Sequence, residues 1–176
     1  MTRIILTYGL VSGAVIILGM LVAMAISGHS LWLGYLIMLV ALSAVLAGIK
    51  QYRDQTLGGV IKFRTALLLG LGIAVAASVA YVLVWEAYMA LTHYTFMDNY
   101  VRHTLAAKRA AGVSGAAYQK LAAEMETMRR NYANPLYRMG ETFLEIFPVG
   151  LLVALASAAL LRNPRFLPAR ARPAAA

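Results

Sequence analysis

The stretch Ile4–Ile26, IILTYGLVSGAVIILGMLVAMAI, contains no Asp, Glu, Lys or Arg. A helix of about 20 mainly apolar residues crosses the roughly 30 Å hydrocarbon layer of a bilayer. This stretch has that length, and three more resemble it. Leu31–Ile49 is uncharged, Thr65–Leu91 is interrupted only by Glu86, and Phe143–Leu161 carries only Glu145 and Pro148. Inside lipid the backbone must satisfy its own hydrogen bonds, so such runs are helices. The fold expected is all-α: a four-transmembrane-helix bundle in one integral membrane domain, with spans near 4–26, 31–49, 65–91 and 141–161.

Composition agrees. Of 176 residues, 61% are hydrophobic and 13% are charged, against about 25% charged in a typical soluble domain. There is no cysteine, which excludes disulfides, a thiol nucleophile and cysteine-ligated metal. Arg3, the apolar run and the AMA at Ala23–Ala25 imitate a secretory leader. The run is longer than a leader's usual apolar core, and Gly9-x-x-x-Gly13 is a close-packing pattern of membrane helices. A retained first span is therefore expected.

The net charge of +9 suggests nucleic acid only until the charges are placed. The N-terminus, the 50–64 connection and the basic tail 162–176 fall on one side of the membrane. They hold nine Lys or Arg residues against Asp54 alone. The other side nearly balances, and Lys and Arg favour the cytoplasmic side. Both termini are expected in the cytoplasm, beside anionic headgroups, and no nucleic-acid partner is expected. The connection GIKQYRDQTLGGVIKFR (Gly48–Arg64) would anchor that face through Lys50, Arg53, Lys62 and Arg64. Asp54 would be held by Lys50 and Arg53. Gly58 and Gly59 would end an extended second helix and turn the chain.

The segment between the third and fourth spans reads as an extramembrane helical hairpin over about 95–132. Met97, Val101 and Leu105 recur at four-residue spacing. Gly112–Gly115 breaks the pattern, and Ser114 is placed to cap the next helix. Tyr118, Leu121, Met125, Met128 and Tyr132 then form a second stripe. Asn134 and Pro135 make a helix start. Pro148 would kink or loosen the fourth helix, and Gly150 follows it. The tail NPRFLPARARPAAA reads as mobile and close to headgroups.

The chain resembles the bacterial membrane proteins of the domain-of-unknown-function 4199 family. The likeness lies in GIKQYRDQTLGGVIKFRTALLLGLGIAVAASVAYVLVW, the YANP before the fourth helix and EIFPVGLLVALASAALLR, with the Gly-rich first helix fitting too. It runs from about Tyr8 to about Arg162. The resemblance implies a small multi-pass protein of the bacterial inner membrane. It carries no assigned activity and no catalytic residues.

Candidate chemistry rests on carboxylates. Glu86, Glu141 and Glu145 fall near the outer interface, the last two on one face of the fourth helix. An ionisable group in a membrane helix is costly and points to function. Arg138 lies three residues before Glu141 and can pair with it. His93, Arg129 and Arg130 are candidate partners for Glu86. His29, His93 and His103 lack metal-site spacing, so no metal or cofactor is expected. Serines within the spans have no histidine at their depth and suit helix packing. Trp32, Tyr35, Trp85, Tyr88 and Tyr94 read as an interfacial aromatic belt. The expected function is non-enzymatic: a packing or accessory protein acting with copies of itself or a membrane-protein partner. The alternative is an oligomeric transporter or ion-coupling protein using the three carboxylates.

Overall fold

The computed structural model describes residues 1–26 and 31–169. Among the described residues the elements are six helices: α1 (Thr2–Ile26), α2 (Leu31–Thr56), α3 (Phe63–Leu91), α4 (Phe96–Ala110), α5 (Gly115–Tyr132) and α6 (Pro135–Leu161). No strand occurs among the described residues. Helices α1, α2, α3 and α6 are long and apolar enough to cross a membrane. Residues 27–30 with His29, and Arg170 and Arg172, lie outside the described residues.

The chain divides into two compact units. The first is Met1–Tyr81 with Phe143–Ala176, and the second is Val82–Thr142.

In the first unit the helices approach closely through small residues. A Cβ on Gly9 would collide with Ala76, and one on Gly13 would lie 2.9 Å from the Ala80 side chain. The Gly9-x-x-x-Gly13 pattern is thus the seam between α1 and α3. Gly150 of α6 meets Ala74, and Gly70 of α3 meets Ala154. Without a strong hydrophobic drive between helices in lipid, such approaches supply the dispersion contacts that hold a bundle. Around the seams Leu42, Val45, Ile49, Leu69, Ile73, Ile146 and Leu161 are buried.

Helix α2 outlasts its apolar run by two turns. Lys50 pairs with Asp54 at 2.5 Å, and Gln51 donates to Gln55 at 3.0 Å, both across one turn. Tyr8 of α1 donates to Gln51 at 2.6 Å. Gly58 (φ 65) and Gly59 (φ 95) then reverse the chain, and the Gly59 amide reaches back to the Arg53 carbonyl at 2.9 Å. Left-handed backbone at two successive residues is where glycine costs least.

In the second unit α4 and α5 pack on each other. Asp98 in the first turn of α4 contacts Arg129 in the last turn of α5, and Arg109 lies over the Tyr118 ring at the other end. The two helices are therefore antiparallel. Met97 is buried, and Val101, Leu105, Tyr118, Leu121 and Met125 are half-buried. Ser114 has the extended backbone of an N-cap, but its hydroxyl makes no capping bond. The chain enters α5 through Gly115 at φ 60 instead.

Helix α6 starts as its sequence suggests. Asn134 accepts a hydrogen bond from the Leu136 amide at 3.0 Å, with Pro135 as the first helical residue. Pro148 lies inside α6 without ending it.

Candidate functional site

The second unit is built around one arginine. Arg138, on the second turn of α6, has a side chain only 3% exposed. Its Nε donates to Glu86 Oε1 at 2.7 Å and its Nη2 to Glu86 Oε2 at 2.6 Å. Nη1 donates to the Tyr132 carbonyl at 2.9 Å. The guanidinium also lies 5.2 Å from the Tyr94 ring centre and 5.8 Å from that of Tyr132. A planar fork matched to a carboxylate gives two parallel charge-assisted bonds, the strong kind, and aromatic faces add cation–π attraction.

This corrects two expectations. Arg138 does not pair with Glu141 along the helix, and Glu86 takes neither His93 nor Arg129 nor Arg130. A desolvated, bidentate contact between helices outweighs an exposed pair one turn apart, worth a few tenths of a kcal/mol. Glu141 is exposed and joins no ion pair among the described residues. Glu145 belongs to the first unit, is exposed, and has no hydrogen bond or ion pair among the described residues.

Placing Tyr94 over Arg138 involves strained backbone. His93 (φ 51) and Tyr94 (φ 58) are both left-handed. The Tyr94 amide bonds back to the Met89 carbonyl at 2.8 Å and the His93 amide to Ala90 at 3.1 Å, the paired reversal that ends many helices. Left-handed backbone costs a non-glycine residue about 1–2 kcal/mol, so the surrounding packing must hold it. His93 contributes this turn; its exposed ring joins no ion pair among the described residues.

Trp85 departs from the belt reading. It is buried, its Nε1–H donates to the Tyr132 hydroxyl at 2.7 Å, and Phe96 meets its ring edge-on at 4.9 Å. It is a core residue of the unit. Trp32 is 84% exposed and Tyr35 is exposed as well.

Beside the Arg138–Glu86 clasp lies a cavity of about 300 Å³, lined by Met89, Tyr94, Met97, Asp98, Arg129, Tyr132, Ala133, Pro135 and Arg138. Arg129 is held two-pronged by Glu126, at 2.8 and 2.9 Å. Those bonds draw the exposed Glu126 carboxyl below its ordinary pKa and raise that of Arg129. Sequence reasoning found neither the cavity nor the roles of Tyr94 and Tyr132. The available signal was Tyr132 on the apolar stripe of α5, three residues before the α6 start.

The first unit has its own buried arginine. Arg53 is fully buried. It donates to Asp54 at 2.7 Å, to the Phe166 carbonyl at 2.9 Å, to the Leu161 carbonyl at 3.5 Å and to the Leu167 carbonyl. The last carbonyls of a helix have no partners within it, and a cation there is favourable. Arg53 therefore closes the end of α6 and fastens the segment beyond it. That corrects its reading as a headgroup anchor and the reading of this part of the tail as mobile. Phe166 packs against the buried core. Lys62 and Arg64 are exposed.

Neither curated proteins nor solved structures give a match to this chain. The model of one family, described as "Protein of unknown function (DUF4199)", matches residues 7–163. With nearly the whole chain covered, and with four helices long and apolar enough to span a membrane, the protein belongs to the DUF4199 family.

Proposed function

We propose that this is a non-enzymatic protein of the bacterial inner membrane, an accessory or packing component acting with copies of itself or a membrane-protein partner. In this reading both termini are cytoplasmic, and α4 and α5 lie on the outer side as the partner-facing part. The orientation is supported by the Lys and Arg bias of the segments flanking the spans. The observation that carries the functional reading is the Glu86–Arg138 clasp. Both oxygens of Glu86 are occupied by Arg138, at 2.7 and 2.6 Å, so this carboxylate braces three helical segments rather than waiting for a proton or cation. Glu86→Gln should lower stability and leave proton flux into proteoliposomes unchanged. A flux lost at unchanged stability would overturn the bracing role. For orientation, a cysteine at Leu57 should be shielded from a membrane-impermeant label in intact cells, and one at Ala116 should react.

A second reading rests on Glu145. A carboxylate exposed on a spanning helix is costly against lipid, and Glu141 stands one turn before it. An oligomer could enclose both in an ion-coupling path. Glu145→Gln separates the readings: loss of a pH-driven flux supports coupling, and an unchanged flux leaves the accessory role.

A further inference from the structure

The cavity in the second unit has polar walls of both signs. Arg138 is spent: three of its nitrogens are bonded, and its faces lie against Tyr94 and Tyr132. The Asp98–Arg129 pair is different. Its contact is 3.4 Å, with both side chains about half exposed (54% and 45%). A tight bond between such groups measures about 2.7–2.9 Å. Glu126 grips Nε and Nη2 of Arg129 and leaves Nη1 turned to Asp98. The cavity thus offers one loosely engaged carboxylate and one oriented guanidinium, with the buried Met89 and Met97 in its lining.

We propose that this cavity binds a zwitterion: a ligand whose ammonium replaces Arg129 at Asp98 and whose acid group replaces Asp98 at Arg129, with the short carbon chain between them on the methionines. A plain cation would face Arg129 and Arg138. A plain anion would face Asp98, the carboxylate of the lining. Only a ligand with both poles meets opposite charge at each end. The volume, near the lower end for small-molecule sites, suits an amino acid or a phosphoethanolamine group. That chemistry comes from two sources, a free zwitterion or the headgroup of a lipid.

Trp85 provides the readout, since its indole N–H bonds to the hydroxyl of Tyr132, which lines the cavity. In a Trp32→Phe background, O-phosphoethanolamine titrated into the detergent-purified protein should change Trp85 emission saturably. Ethanolamine and inorganic phosphate should bind at least about tenfold more weakly. Asp98→Asn and Arg129→Gln should each weaken O-phosphoethanolamine by about tenfold to a hundredfold, the loss of one charged hydrogen-bonding pole. Asp98→Asn preserves size at an exposed position, so its unliganded emission should match the parent. The proposal is overturned if no saturable change occurs, if a single-charge probe binds as well, or if both variants bind unchanged. Nanodiscs separate the sources. Weaker probe binding in discs containing phosphatidylethanolamine than in phosphatidylglycerol discs supports the proposal with a lipid headgroup as occupant. Equal binding in both supports it with a free zwitterion.

Discussion

Arg53 and Arg138 are both buried, and they are held in opposite ways. Arg138 has a full counter-charge in Glu86 and two aromatic faces. Arg53 shares Asp54 with Lys50 and spends its guanidinium nitrogens on main-chain carbonyls of Leu161, Phe166 and Leu167. A carbonyl is a partial charge that needs a partner anyway at a helix end, so Arg53 satisfies groups that would otherwise be orphaned. A carboxylate is a whole charge whose own desolvation must be offset. The first arrangement closes a chain segment. The second is a mutual dependence, in which neither partner tolerates loss of the other.

The largest effect should therefore come from Glu86→Leu. It strands the Arg138 charge in a site only 3% exposed, and breaking such a pair from one side costs about 3–5 kcal/mol. SDS titration in mixed micelles would measure it. Glu86→Leu combined with Arg138→Met should recover most of the loss, because removing both charges of a buried pair is often near neutral. A double variant as unstable as the single would break the comparison. Next is Arg53→Met. Asp54 keeps Lys50, but the carbonyls of Leu161, Phe166 and Leu167 lose their charged donor, at a cost of about 2–3 kcal/mol, typical of hydrogen bonds to charged groups. Limited proteolysis should then cut within 162–169, which the parent protects; equal protection would show that Phe166 alone holds the segment.

Tyr132→Phe should cost less, about 1 kcal/mol, the worth of one neutral hydrogen bond. It removes the acceptor of the Trp85 indole while keeping the ring against Arg138. A shift in Trp85 emission with little loss of stability would show that the ring, rather than the hydroxyl, supports the clasp. The smallest effect belongs to the exposed counterpart, Arg129 with Glu126. The folded protein holds Glu126 below its ordinary value of 4.5. Its contribution is therefore present above that value and fades as pH falls through the lowered one. Exposure and salt keep it small. The stability difference between the parent and Glu126→Gln, followed from neutral pH into acid, should shrink only below about 4.5. A large difference at neutral pH would show that the pair does more than an exposed pair can.

The four long apolar helices were legible because lipid would impose one strict demand, a long helix of apolar side chains, and a sequence displays that directly. The Gly58–Gly59 turn and the Asn134–Pro135 start were legible for a similar reason. Each is a local matter of backbone angles and of the nearest amides. The helix seam at Gly9 and Gly13 was half legible: spacing marked a contact face, and only the fold supplied Ala76 and Ala80 as its partners. Among the candidate site residues, Asp54 found the partners its neighbourhood offered. Arg138 did not, because Glu86 lies 52 positions away and the nearer Glu141 faces outward.

By itself the sequence determined that the chain is helical, that four helices are long and apolar enough to cross a membrane, and where the turns fall. These follow from the solvent and from contacts within a few residues. Tertiary structure decided which charges meet. It turned Arg53 inward to the end of α6, gave Glu86 to Arg138, bent His93 and Tyr94 into left-handed backbone, and opened a cavity beside them. Charge pairing is long-range in sequence and short-range in space, so it becomes definite only when the helices are packed.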